Sequence, residues 1–387
     1  MKRQIAWFAV SLVLCLARAS AAQESGAFIV RLGRDTTGVE RFTRSATGLE
    51  VQQVGRSPRV LRRRYQYEMG ADEIVKRFGF TATIPADSAG APPVQVIDAT
   101  FTSDSMLMDI RRGKDVRPLH VAMPPGTVLL AGSSPWEMYE MLSMRLAAQK
   151  ADSLRRTAYY VGGDTLYYVT VRRRGRDSID VQNQFDLYRA QVDRAGRIMH
   201  LTPVHGTQQF TVDRVKSVDL AAYVATFLAA EKQSGAMGAL SSRDTLRVTA
   251  GGASLWIDYG RPAARGRAIF GAVVPWGAVW RTGANAATQF RTDRALEMAG
   301  TTVPAGFYTL WSIPTPTGNK LVINGQTGQW GTDHDPAKDL YTIDMHVSAL
   351  PQPVERFTIS VEPSDQGGTL RLDWDTRRSS LGFSVKP

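Results

Sequence analysis

Two short stretches of this chain concentrate side chains able to do chemistry. The first is Trp280-Arg281-Thr282-Gly283-Ala284-Asn285-Ala286-Ala287-Thr288. Arg281 is a permanent cation whose planar fork of donors suits a carboxylate, a phosphate or a sugar. Asn285 and Thr288 both donate and accept, and Gly283 permits close backbone approach. With Trp280, and with Trp330 further on, they form a candidate binding set. The competing reading is a structural loop, with Arg281 and Asn285 satisfying buried carbonyls while Trp280 anchors a core. The second stretch is Asp333-His334-Asp335, where a histidine sits between two carboxylates. His334 with Asp333 or Asp335 could act as a general base for hydrolysis, or bind a metal with help from Asp344 or His346. Against this, Asp335-Pro336 reads equally well as a helix cap followed by proline at the first helical position.

Other chemistries lack a signal. There is no G-x-S-x-G, S-x-x-K, H-E-x-x-H, G-x-G-x-x-G or Walker pattern. Asp373 and Asp375 are two apart on a strand-like segment and share a face, with Trp374 between them pointing inward. His120, His200 and His205 stand apart in sequence. Six tryptophans, at 256, 276, 280, 311, 330 and 374, crowd the C-terminal third. Trp311 and Trp374 read as core, whereas Trp276 or Trp330, beside glycines, could line a groove for a sugar. No cofactor and no resident metal are expected.

The elements that must position these residues are mostly strands. From 26 to 215 the chain reads as short strands and turns. Leu61, Tyr65 and Tyr67 are spaced by even steps, and Phe78, Phe80, Ala82 and Ile84 recur at every second residue, the period of a half-buried strand. Asp193-Arg194-Ala195-Gly196 reads as a hairpin turn. One helix interrupts this run, capped by Ser134-Pro135 and carrying Trp136, Tyr139, Met141, Leu142, Met144 and Leu146. It reads as core, or as a methionine-rich lid over a lipid-binding sheet. A second helix follows Asp219, with Leu220, Tyr223, Val224, Phe227 and Leu228 on one stripe, and Ser234–Ser242 reads as a linker. From Asp244 on, eight short strands with Gly/Pro turns favour a sandwich or jelly roll.

The expected fold is therefore all-β, mostly antiparallel, with two short helices: an N-terminal curved sheet or half-barrel and a C-terminal β-sandwich or jelly-roll-like domain. The expected divisions are a signal peptide at 1–21, a β domain at 22–216, helix and linker at 217–243, and the sandwich at 244–387.

Lys2 and Arg3, the apolar run Ile5–Leu16 and Ala19-Ser20-Ala21 make up a secretory signal with cleavage before Ala22. Cys15, the chain's one cysteine, falls inside it and follows Leu14 rather than a small residue, which argues against lipidation. The mature chain would thus lack disulfides, thiol nucleophiles and cysteine-bound metals. The expected location is periplasmic or extracellular, with no membrane-spanning segment after cleavage. Net charge is +11 on the full chain. Arg62-Arg63-Arg64 and Arg172-Arg173-Arg174 are dense but lie in strand contexts, so no nucleic-acid partner is expected. The oligomeric state is left open.

The C-terminal motifs carry a resemblance. Gly260-Arg261-Pro262, Arg265-Gly266-Arg267-Ala268-Ile269-Phe270-Gly271, Val274-Pro275-Trp276-Gly277, the Trp280–Thr288 stretch, Pro304-Ala305-Gly306-Phe307-Tyr308-Thr309-Leu310-Trp311 and Gly328-Gln329-Trp330-Gly331-Thr332-Asp333-His334-Asp335 occur in the order seen in domain-of-unknown-function family 2911. The region from about 244 to 385 resembles that family. Many of its members carry an acidic residue where this chain has Ala286. The resemblance implies an exported bacterial context and no catalytic residues. The N-terminal region is similar in outline only to periplasmic half-barrel carriers of lipids and lipoproteins. Together these readings favour a non-catalytic envelope binding module, with an apolar (lipid) ligand in the first domain or a polar, carbohydrate-like one near Arg281 and Asn285. The alternatives are a hydrolase built on His334 and a structural or interaction protein without a ligand site.

Overall fold

A computed structural model describes residues 23–70, 74–85, 91–131, 136–206 and 208–386. The signal at 1–21 and the Ser134-Pro135 cap lie outside these residues.

The first part of the chain is a long meander: β1 (Glu24–Leu32), β2 (Asp35–Ser45), β3 (Gly48–Gly55), β4 (Leu61–Met69), β5 (Val75–Thr83), β6 (Gln95–Phe101), β7 (Ser105–Arg112), β8 (Asp115–Ala122) and β9 (Val128–Leu130). After helix α1 (Glu137–Ala148) come β10 (Ser153–Tyr160), β11 (Leu166–Arg173), β12 (Ser178–Gln182), β13 (Asp186–Val192), β14 (Ile198–Gly206) and β15 (Phe210–Val215). These fifteen strands form one sheet in the order β8-β7-β6-β5-β4-β3-β2-β1-β15-β14-β13-β12-β11-β10-β9. The meander closes on itself in the middle, where β1 pairs with β15, and stays open at β8 and β9. Every pairing is antiparallel except β9 with β10. β6 to β9 have no counterpart in the sequence reading. Met106, Met108 and Ile110 alternate inward there, but Leu107 and Val116 are exposed, which blurs the period.

Each face carries one helix. On the inner face, α1 sinks Trp136, Met138, Tyr139, Leu142 and Leu146 into the apolar residues of the strands. On the outer face, α2 (Leu220–Ser234) covers Val39, Val54 and Val60 with Val224 and Phe227. Asp219 caps α2, accepting from the amides of Ala221 and Ala222. The segment after α2 is tied down: the Gly238 amide donates to the Pro58 carbonyl at 2.8 Å, and Leu240 packs on the first core.

The second part comprises β16 (Ser241–Ala250), β17 (Ala253–Pro262), β18 (Thr288–Thr292), β19 (Leu296–Met298), β20 (Thr301–Val303), β21 (Gly306–Pro314), β22 (Asn319–Asn324), β23 (Asp339–Ser364) and β24 (Gly367–Val385). They form a single nine-stranded sheet, β16-β17-β18-β21-β22-β23-β24-β19-β20. Its long hairpin β23–β24 breaks register between Ala349 and Thr358. A register break of this kind bends a strand pair. The sheet thereby folds over, and β23 lies across β17, where the Ile359 amide donates to the Tyr259 hydroxyl at 3.1 Å. One apolar core fills the fold, with Ile257, Phe290 and Leu310 on one side and Phe357, Ile359, Leu372 and Trp374 on the other.

The two sheets touch. Arg265 pairs with Asp35, and the Arg34 amide donates to the Arg265 carbonyl at 2.9 Å. Gly33, at φ 60°, is needed there, since a Cβ would fall 2.3 Å from that carbonyl oxygen.

Candidate ligand cavity and neighbouring polar sites

Strand pairing places Phe28, Glu40, Gln53, Arg63, Ala82 and Gln95 side by side on the inner face of the first sheet, one from each of β1 to β6. The row is polar where a core would be apolar. Gln53 Nε2 donates to Glu40 Oε2 at 3.1 Å, Arg63 Nη1 donates to Gln53 Oε1 at 3.1 Å, and Arg63 Nη2 reaches the Ser57 carbonyl at 2.8 Å. The Tyr65 hydroxyl donates to Gln53 Oε1 at 3.4 Å.

α1 presents more polar groups to this row. The Trp136 amide donates to Glu40 Oε1 at 3.2 Å. Glu137 is fully buried, and among the described residues no side chain or amide of another residue donates to its carboxylate oxygens. Burial, with the charge of Glu40 added, holds the Glu137 carboxyl well above the usual carboxylate range. One turn on, Glu140 is equally buried but fully paired: Arg44 and Arg214 both donate to it, and so does the Ile198 amide at 2.9 Å. Glu24 extends this network to Arg197.

A cavity of about 320 Å³ opens beside the row. Gln53, Arg63 and Tyr65 line one side, and Phe80, Ile97 and Phe210 make its apolar wall. Trp136 also lines it, its indole N–H buried without a partner among the described residues. Leu240, from the segment joining the two sheets, Ala131 and the exposed Arg112 are also among the lining residues.

The residues singled out in the sequence scatter. Trp280 is core, stacked on Trp374 with ring centroids 5.7 Å apart. Thr288 is buried and donates to the Thr282 carbonyl at 2.7 Å. Asn285 is exposed in a left-handed conformation, φ 62°. Arg281 is half-buried against Gly331, and Trp330 leans on Phe185 of the first part, 5.7 Å between ring centroids. Burial pulls the Arg281 guanidinium down to about 10, with the charge of Asp186 opposing. Arg281 and Trp330 thus meet where the two sheets touch, whereas Trp280 and Thr288 point into the core.

His334 takes its carboxylate from outside its own triplet. Its Nε2 lies 2.9 Å from Asp339 Oδ1, and its ring rests on Trp311 at 4.7 Å. Asn324 Nδ2 donates to the same Asp339 oxygen at 2.8 Å. Asp335 does cap the short helix Pro336–Lys338, accepting from the Ala337 amide at 3.0 Å, and Asp333 is exposed. Asp344 pairs with Lys320, and His346 is exposed. Among the described residues no three His, Cys, Asp or Glu side chains are placed to hold a metal. Asp373 is clamped by both arms of Arg378.

Residues 241–383 match the family described as Protein of unknown function (DUF2911). The DUF2911 region coincides with the second sheet, and no family model matches the N-terminal region. A comparison with curated proteins gives no match. Among solved structures, the chain is similar to a beta-barrel-like protein of domain of unknown function DUF1849 from Brucella abortus. Identity is 15%, covering 50% of this chain and 95% of that one, at a TM-score of 0.33. It is also similar to a DUF1089 family protein from Pseudomonas aeruginosa, 12% identical over 43% of this chain and 90% of that one, TM-score 0.31.

The cavity therefore lies outside the DUF2911 region, while Arg281 and Trp330 belong to it. Sequence reasoning passed over Glu40, Gln53 and Glu137, and met Arg63 only as part of the Arg62-Arg63-Arg64 run in a strand context. The signal that could have found them is phase. Gln53 falls in step with Leu49 and Val51, and Arg63 with Leu61, Tyr65 and Tyr67, so each sits on the apolar face of its strand.

Proposed function

We propose that this chain is an exported, non-catalytic binding protein that holds a small, part-polar, part-apolar ligand in the cavity of the first sheet. The observation that carries the reading is a single cavity lined together by the polar Gln53, Arg63 and Tyr65 and the apolar Phe80, Ile97 and Phe210. Concave, mostly apolar sites with a few placed polar groups are where small molecules bind, in volumes of ~300–1,000 Å³. At about 320 Å³ this cavity suits a compact molecule. A lipid tail has less support, because Trp136, Met138, Leu142 and Leu146 already fill the apolar face. The export half of the proposal rests on the leader at 1–21 alone. The same reading treats the two sheets as separate domains, with α2 packing on the first.

A hydrolytic role for His334 has the oriented histidine–carboxylate pair that a general base needs. Trp311 covers its ring, however, and no hydroxyl nucleophile is bonded to it among the described residues.

Native mass spectrometry of gently purified protein tests the proposal. The expected result is an adduct of small-molecule mass that is lost in Ala131→Phe, which fills the cavity wall, and weakened in Gln53→Leu. A clean apo mass, together with no thermal shift from a panel of small polar metabolites, would overturn it.

A further inference from the structure

The outer face of the second sheet carries a row that the sequence reading did not isolate. In register across β16, β17, β18 and β21 stand Arg247, Trp256, Arg291 and Phe307, each directly opposite the next. Cation and aromatic thus alternate over four strands, a span of roughly 14 Å at ~4.8 Å per strand. Phe307 is 47% exposed, an unusual position for a phenylalanine in a strand. Its ring leans over β18 to meet Trp256, with centroids 5.8 Å apart. The two rings form one aromatic surface with Arg291 between their strands and Arg247 beside it. Both guanidinium groups are exposed, and neither has a carboxylate or hydrogen-bond partner among the described residues. That sets them apart from Arg243 and Arg261 nearby, which pair with Asp258 and Asp244. Thr249, Ser254 and Asp293 make the next row on the same face, and the whole lines an open groove of about 1240 Å³.

We propose that this row is a binding platform for an acidic polysaccharide, a chain of carboxylated sugars. Aromatic faces take the apolar face of a sugar ring. A planar guanidinium takes a carboxylate through two parallel hydrogen bonds, and such charge-assisted pairs are the strong ones. Hydroxyls and Asp293 along the flank suit sugar hydroxyl groups. A single-stranded nucleic acid is the other ligand that pairs stacking with positive charge. It needs a continuous cationic track along its backbone, and here the two arginines are interrupted by Trp256.

Affinity electrophoresis and tryptophan-fluorescence titration on the full mature chain test this. The probes are polygalacturonate, the same polymer with its carboxylates methyl-esterified, and single-stranded oligothymidylate. The expected result is saturable binding to polygalacturonate, tenfold or more weaker for the esterified polymer. Trp256→Ala and Arg291→Gln should each weaken it at least fivefold with unchanged circular dichroism, and Arg247→Gln should flatten its salt dependence. All three positions are solvent-facing, so loss of fold is not expected. Equal binding to the esterified polymer would overturn the role of the arginines. Tighter binding to oligothymidylate would reassign the row to nucleic acid, and no binding to any probe would remove the platform.

Discussion

Gln53 donates its side-chain amide to Glu40 at 3.1 Å across the β2–β3 pair, inside a face that is otherwise apolar. Leucine at position 53 keeps most of the volume and removes the donor to Glu40 together with the acceptor of Arg63 and Tyr65. Such a loss costs ~1–3 kcal/mol. Gln53→Leu should therefore lower the unfolding free energy by that amount, read as a lower urea midpoint at an unchanged slope. An unchanged midpoint would mean that the Gln53 bonds add nothing to stability.

Glu137 makes stability depend on pH. Its folded-state carboxyl is held well above the usual range by burial, so the folded chain keeps a proton that the unfolded chain releases. Stability from this group is present below the unfolded value and declines as pH rises toward the folded one. Glu137→Gln keeps the shape without the ionisation. The variant should match the wild type at about pH 4 and grow steadily more stable than it toward pH 8, by at most ~1.4 kcal/mol per pH unit. Thermal melts across that range read the difference, and a constant gap would contradict the assignment.

Glu140 should behave oppositely. It is buried but saturated by Arg44, Arg214 and the Ile198 amide. Removing the charge leaves Arg44 and Arg214 with Glu24 as their shared carboxylate, so the loss should fall below the ~3–5 kcal/mol of a fully broken buried pair. Glu140→Gln should unfold at markedly lower urea than Glu137→Gln at the same pH, although both lie on one helix a turn apart.

Gly331 is a steric requirement of the Arg281 contact. A Cβ there would fall 2.0 Å from Arg281 Cδ and 2.4 Å from the Asn285 carbonyl oxygen. Gly331→Ala should destabilise by ~1–3 kcal/mol, as overpacking does. The arginine can swing away but the carbonyl cannot, so Arg281→Ala should rescue Gly331→Ala only in part. Full rescue would show the carbonyl contact to be slack.

Much of this molecule was legible because the signals are local. Period-two alternation at Tyr65-Tyr67 and Phe78-Phe80 marks β4 and β5. The apolar stripe after Asp219 marks α2, and Asp335-Pro336 marks its own cap, since each reports on backbone dihedrals and on the face one element buries. The motif order from Gly260 to Asp335 likewise locates the DUF2911 region without any coordinates. The tertiary structure alone decided which residues become neighbours. Glu40, Gln53 and Arg63 form a row because two strand pairings share one register, and a slip of a single residue would turn one of them to the opposite face. Arg247, Trp256, Arg291 and Phe307 line up only because β21 skips past β19 and β20 to pair with β18. Glu137 looks like an ordinary acidic first-turn residue until the sheet wraps the helix on that side. His334 stands between two aspartates in the chain yet bonds a third, Asp339, because the 3-10 turn at Pro336–Lys338 brings that carboxylate back to the ring. Sequence specifies which face a side chain takes on its own strand or helix, while pairing register and packing, which are non-local, settle what it meets there.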